Sequence, residues 1–387
     1  MSLQPKAPRI LLILGENHHW RHARSWPYNL HLGIEEALRA AGAEVTTIIA
    51  TWLTHWPKLC PAQRFDQVWV VDLIHFCHID HSLAPIVDLA PVRVGLVTES
   101  IAYYPDEYAA FPWLQERRDR IDEQFQFVTH VAAVDEQDVV NIKNQFQLPT
   151  IWNPCSVPSQ LIDEQPPPPR QNIAFFGGSL YGERARWLAE PRLHGLLARH
   201  PSPPVEYLYE LGFNSLPGHR YGLRRLVQQP HYPARLVYPL YLTLLRRLRR
   251  SGFRMWQQRV LQQGIAVINL PHLVKGYSGR VIEGMAAGRP VISWEIPDRP
   301  YNTALFADGQ EILLYHTPAQ LADHIAHLRA DPGFGVEIAA NARRQVQTWH
   351  TTEKRVQQLL HWIATGETPS LGTPASLPAG MPAFPGA

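Results

Sequence analysis

Cysteine is scarce. Three residues in 387, Cys60, Cys77 and Cys155, stand at unrelated spacings, which excludes a disulfide framework and fits a reducing compartment. Long apolar runs are missing too: the longest, Leu236 to Leu245, is ten residues with a proline inside, short of the roughly 18 that a membrane span needs. The first apolar run, Ile10 to Leu14, is closed by Gly15 and Glu16, too soon for a signal-peptide core. A cytoplasmic protein is expected, peripheral at most at the inner face of a membrane. Charged residues make up only 18 %, yet 45 % apolar residues and 12 Trp exclude a largely disordered chain. The length suits two to three domains.

Acidic residues are absent from one long stretch. Between Leu211 and Ile282 there is no Asp or Glu, while Arg220, Arg224, Arg225, Arg235, Arg246, Arg247, Arg249, Arg250, Arg254, Arg259, Lys275 and Arg280 are basic. With a net charge of +2 for the whole chain, this stretch carries +12 and the remainder −10. Such a division attracts phosphate or an anionic surface, although a basic cluster is equally often a solvated face.

What is present alternates. Short apolar or β-branched runs at Ile10 to Leu14, Val45 to Ile49, Val68 to Leu73, Val92 to Val97, Val128 to Val134 and Thr150 to Trp152 are separated by helix-like stretches, the pattern of a parallel sheet with crossover helices. Ile34, Ala37, Leu38 and Ala41 share one helix face before Gly42. The run Pro166 to Pro169 predicts an extended spacer and a domain boundary. Beyond it the alternation resumes at Ile173 to Phe176, Val205 to Tyr209, Ile265 to Leu270, Val291 to Trp294 and Ile312 to Tyr315. Thr317, Pro318 and Gln320 spell a helix start with a capping box, and a last helix begins near Glu353 after Thr351 and Thr352. Residues 367–387, rich in Pro, Gly, Ser and Ala, read as a disordered tail.

In open parallel sheets, ligands collect in the loops after the strands. In IAFFGGSLYGERARW (Ile173 to Trp187) a strand runs into Gly177, Gly178 and Ser179 ahead of a helix bearing Arg184. Paired glycines let backbone N–H groups approach a phosphate; a plain tight turn reads the same way. In KGYSGRVIEGMAAGRP (Lys275 to Pro290), Ser278 or Gly279 caps a helix that Gly288 ends. Its free N–H groups, with Lys275 and Arg280, suit a diphosphate. Glu283, one turn in, suits two ribose hydroxyls and serves equally as a favourable charge near the helix start.

SGRVIEGMAAGRPVIS (Ser278 to Ser293), ALFADGQEILLYHTPAQLADHI (Ala304 to Ile325) and WHTTEKRVQQLL (Trp349 to Leu360) occur in that order, preceded by FFGGSLYGERARWL (Phe175 to Leu188). With these pieces, roughly half the chain resembles the C-terminal domain of group-1 glycosyltransferases, particularly their spore-maturation-like branch. The resemblance implies an α/β protein of the GT-B type, two Rossmann-like domains whose parallel sheets face an interdomain cleft: residues 1–165 for the acceptor and 170–365 for a nucleoside-diphosphate sugar. It implies that Glu283 binds the donor ribose and that Gly177, Gly178, Ser278, Gly279 and Arg280 line the diphosphate, with Ser179 and Arg184 beside them. Many relatives carry a second glutamate eight positions earlier, on the donor sugar. Here that position is Lys275, which suits neutralisation of the leaving diphosphate instead.

The first half supplies Glu16, Asn17, His18, His19 and Trp20 after its first strand, Asp72 and His75 after the third, and Glu99 and Ser100 after the fourth. Glu99 and His19 are the candidate bases toward an acceptor hydroxyl. The histidines of HFCHIDH (His75, His78, His81, with Cys77) and His18, His19 and His22 match no strong zinc spacing, so no metal or other cofactor is expected. Arg235 to Arg254, an apolar aromatic run joined to a basic one, suits an anionic membrane and a membrane-bound acceptor, or a core helix with one basic face. The leading reading is a nucleotide-sugar glycosyltransferase with a glycan, lipid-linked or protein acceptor and no nucleic-acid partner. A nucleotide-sugar epimerase and a non-catalytic nucleotide-sugar or polyanion-binding protein are the alternatives.

Overall fold

RILLIL and VWVV are unbroken apolar runs, and a strand of that kind needs cover on both faces. The computed structural model places them at the centre of a parallel sheet. It describes residues 7–14, 29–53, 64–71, 73–74, 82–178, 180, 183–199, 243, 247, 250–273 and 275–372. The described residues of Met1–Ala133, Asn141–Ile151 and Pro203–Gly252 form one compact unit, and those of Val134–Val140, Trp152–Ser202 and Phe253–Ala387 a second.

The first sheet contains β1 (Arg9–Leu14), β2 (Glu44–Ile49), β3 (Gln67–Val71), β4 (Val92–Val97), β5 (His130–Ala133) and β6 (Thr150–Trp152) in the order 2-1-3-4-5-6. The first five run parallel. Helix α1 (Asn29–Ala40) buries Ile34, Ala37 and Leu38, while Ala41, the fourth position of the predicted face, falls in the turn after the helix and is exposed. Helix α2 (Trp113–Phe125) buries Leu114, Ile121 and Phe125. α3 (Glu136–Phe146) follows β5.

The second sheet contains β7 (Ala174–Phe176), β8 (Leu197–Arg199), β9 (Ala266–Asn269), β10 (Val291–Trp294) and β11 (Leu313–Tyr315), in the order 11-10-9-7-8 and parallel throughout. Counted from its own first strand, this is again 2-1-3-4-5. In both sheets the order therefore reverses between the first and third strands, at the switch point where ligands collect. β8, three half-buried residues, has no run that betrays it in the sequence. The strand expected at Val205 to Tyr209 lies outside the described residues.

α4 (Arg184–Leu188), α5 (Gly279–Ala286), α6 (Pro300–Thr303), α7 (Pro318–Ala330), α8 (Pro332–Trp349) and α9 (Thr352–Thr365) belong to the second unit. Phe176, Trp187, Ile268, Ile292, Leu313, Tyr315, Leu321 and Ile325 form its core. α7 begins with the expected box: the Thr317 hydroxyl accepts from the Gln320 N–H while the Gln320 side chain reaches back to Thr317 N–H. α5 ends at Gly288, φ +70°, whose N–H donates to Met285 C=O while that of Arg289 donates to Gly284 C=O, the paired bonds of a left-handed helix stop.

Two expectations change. The proline run is more than a spacer: Pro167 C=O accepts from Arg289 Nη2 at 2.6 Å, and Arg289 also holds the carbonyls of Gln262 and Gly264. A polyproline chain lacks N–H groups but keeps its carbonyls, and a buried guanidinium uses them. The start of the tail is also ordered, because Gln358 of α9 donates to Ser370 C=O at 2.6 Å. WHTTEKR proves to be an anchor. Buried His350 accepts at Nδ1 from Arg355 at 2.6 Å, Thr351 caps α9, and Thr352 meets Ser156 at 3.2 Å.

Candidate active site

The second sheet places its switch point between β7 and β9, and the expected donor residues converge there. β7 ends in Phe176, and two guanidinium groups lie over its ring: Arg280 at 4.8 Å and Arg184 at 5.4 Å from the centroid. Arg184 is buried and donates to Pro271 C=O at 3.3 Å. Arg280 donates to Gly177 C=O and, at 3.1 Å, to Asn269 Oδ1.

These contacts give the glycines a role that the sequence did not disclose. A Cβ on Gly177 would lie 2.6 Å from Trp256 Cη2 and 2.8 Å from Val260 Cγ1; one on Gly178 would lie 2.5 Å from Arg280 Nη2. The paired glycines clear space for an indole and a guanidinium, not only for a phosphate.

Ser278 occupies the N-cap of α5, but its hydroxyl makes no cap bond; it donates to Asn269 Oδ1 at 3.1 Å. The expected capping is corrected on that account: a fully buried Asn269 competes for the hydroxyl. Asn269 is the hub that the sequence reading missed. Its Oδ1 accepts from Ser278 and Arg280, its Nδ2 donates to Ser293 Oγ at 3.0 Å, and its C=O accepts from Tyr315 Oη at 2.9 Å. Its position at the end of an apolar strand was the available signal.

Glu283 is buried on α5, with Gly279 close to its carboxylate. Burial raises its carboxyl to about 7, against the hydrogen bond from Trp256 Nε1 at 3.1 Å and the charge of Arg280. Trp256 stands where the helical residues 251–256 widen into a π-type turn, Gln257–Leu261, a distortion often found at functional sites.

Lys275 is buried, as is His272 three residues before it. His272 is held neutral by burial and by Arg184, Arg280 and Lys275, and neither ring nitrogen has a hydrogen-bond partner among the described residues. The charges of Arg184, Arg280 and Lys275 thus all act on one imidazole that has no hydrogen-bond partner among the described residues.

Glu99, at the end of β4, is half exposed and its carboxylate accepts from Arg117 of α2 at 2.5 Å; Ser100 beside it is fully buried. His19, Ser179, Glu16, Asn17, His18, Trp20, Asp72 and His75 lie outside the described residues. So do His22, Cys77, His78, His81 and most of Arg235 to Arg254. Arg250 is described, and pairs with Glu36 of α1. Among the described residues no cluster of three His, Cys, Asp or Glu could hold a metal ion, and no helix is long and apolar enough to cross a membrane.

Residues 246–361 match the family model described as Glycosyl transferase-like, and the chain around them has the GT-B fold. In fold the chain is similar to solved glycosyltransferases of two α/β domains. Sucrose-phosphate synthase from Thermosynechococcus elongatus is similar in structure, with TM-score 0.55 and 14% identity over 92% of this chain and 98% of that one. HepE of Anabaena, solved with UDP-glucose, gives 0.51 and 12% over 92% and 100%. TarM of S. aureus gives 0.50 and 15% over 80% and 57%. A comparison with curated protein sequences finds no match.

Proposed function

We propose that the second unit binds a nucleoside-diphosphate hexose at the β7–β9 switch point and that the protein transfers the hexosyl group to an acceptor hydroxyl. The observation that carries this reading is that buried Arg184, buried Lys275 and partly buried Arg280 all act on a neutral His272 with no hydrogen-bond partner among the described residues, and that Arg280 precedes Glu283 by one turn of the same helix. Cations of this kind offset the charge that develops on a departing diphosphate, and a carboxylate one turn into the neighbouring helix suits a ribose diol. HepE, of the same fold, was solved with UDP-glucose, which supports the donor class. The acceptor, a glycan, lipid-linked or protein hydroxyl, falls to the first unit, with Glu99 and His19 as the candidates for its base.

Thermal stabilisation of the purified protein tests the donor half. UDP, GDP, dTDP, CDP and ADP and their common sugar conjugates are compared on wild type, Glu283→Ala and Lys275→Ala. A ligand at a hundred times its Kd adds about 2.7 kcal/mol, a rise of roughly 5–10 °C for a unit of this size. One base is expected to give this shift, and Glu283→Ala to abolish it. Lys275→Ala is expected to erase the advantage of the diphosphate over the free nucleoside. Stabilisation by polyanions but by no nucleotide overturns the reading.

A further inference from the structure

Trp256 lies in the basic, acid-free stretch and matches none of the motifs that carry the resemblance. Its indole meets two functional positions at once. The ring packs over Gly177, so closely that any side chain there would collide with it at 2.6 Å. The ring N–H donates to Glu283 Oε2 at 3.1 Å. The indole itself is only partly buried, whereas Glu283 is 8% exposed.

We propose that Trp256 is a positioning residue for the donor: its indole N–H holds one oxygen of Glu283 and so fixes the carboxylate that takes the ribose diol. The inference rests on the reading of Glu283 as the ribose carboxylate. Its physical basis is the difference between the two forms of a carboxylic acid. An ionised carboxylate accepts from the indole and from two hydroxyls together; a protonated one loses acceptor capacity. Burial pushes Glu283 towards the protonated form, and, among the described residues, the indole bond and the charge of Arg280 push back. The neighbouring segment faces it with Trp256, and the β7 turn with Gly177 and Gly178, none of which titrates in the working range. Without the indole N–H the carboxyl titrates higher still.

The test is the pH profile of nucleoside-diphosphate affinity, measured calorimetrically from pH 6 to 9 with the nucleotide that stabilises the wild type. In the wild type, affinity falls as pH drops through about 7. Trp256→Phe keeps a ring over Gly177 and removes the donor. It is expected to weaken binding about tenfold at pH 7, the loss of one hydrogen bond to a charged group, to move the midpoint upward, and to converge on the wild type near the top of the range. Trp256→Tyr serves if the Phe variant fails to fold, with the same upward displacement expected. In a Glu283→Gln background, where the ligand's own terminal phosphate still titrates at the low end of the range, the Trp256 substitution should add no pH dependence.

A Trp256→Phe variant that binds more weakly by the same factor at every pH, or with an unmoved midpoint, overturns the inference and leaves the donor site standing, with Trp256 as packing alone. A wild type that binds no nucleoside diphosphate at any pH overturns the donor reading and this inference with it.

Discussion

Removing the Arg299 guanidinium would strand a carboxylate. Asp135 has no exposed surface, and Arg299 meets both of its oxygens, Nε at 2.5 Å and Nη2 at 3.2 Å. Both residues lie in the second unit. Replacing such a pair by apolar groups is often harmless, but removing one partner leaves an uncompensated buried charge. Arg299→Ala is expected to cost about 3–5 kcal/mol, read as a lower denaturant midpoint, and Asp135→Asn in the same chain should recover part of that loss. Neighbouring Glu136 works differently: its carboxylate accepts the backbone N–H groups of Asn302, at 2.6 Å, and Tyr301, at 3.4 Å. Nothing in the sequence marks either acid, because a pairing across more than 160 residues leaves no local pattern.

α5 is the element on which the candidate site depends. Val281, Ile282, Met285 and Ala286 are buried in it, and Gly284 lets it approach the sheet: a Cβ there would lie 3.1 Å from side-chain carbons of Val267 on β9 and Val291 on β10. The helix thus sits close enough for Arg280 to reach Gly177 and Asn269. Gly284→Val should force it outward, at a cost of about 1–3 kcal/mol for an overpacked core. Nucleotide binding should suffer beyond the loss of stability, since Arg280 and Glu283 ride on the same helix. Titration at a temperature where the variant is fully folded separates the two effects. The helix, its Gly288 stop and its glutamate were legible in the sequence. Ser278 was not, because a hydroxyl at an N-cap has two uses, and only the buried Asn269 beside it selects one.

Across the whole molecule, pH acts through groups that the sequence could not rank. Glu136 and Glu283 both titrate at about 7 in the folded chain, mainly through burial, against about 4.3 for an unperturbed glutamate. The folded state therefore binds more protons between those values, and their contribution to stability is present at pH 4 and lost as pH rises through 7. Relative to a Glu136→Gln/Glu283→Gln variant, the wild type should lose stability from pH 5 to pH 8, by at most about 1.4 kcal/mol per pH unit for each carboxyl. Chemical denaturation at a series of pH values reads the difference. A difference that grows the other way would mean that the two acids are ionised in the folded protein.

The parallel strands, the two α/β halves, the capped α7, the α5 motif with its stop, and the cluster of glycines and basic residues are all legible in the order of residues along the chain. Each is a local matter, since strand and helix periods, caps and turn residues act within a few positions. Tertiary structure decided which of those residues meet. It assigned Gly177 to an indole and Gly178 to a guanidinium, made Asn269 a hub, left His272 neutral among three cations, and set Trp256 against Glu283. Such outcomes depend on burial and on partners far away in the chain: a carboxyl titrates at about 7 instead of its ordinary value only when the fold has removed the water around it.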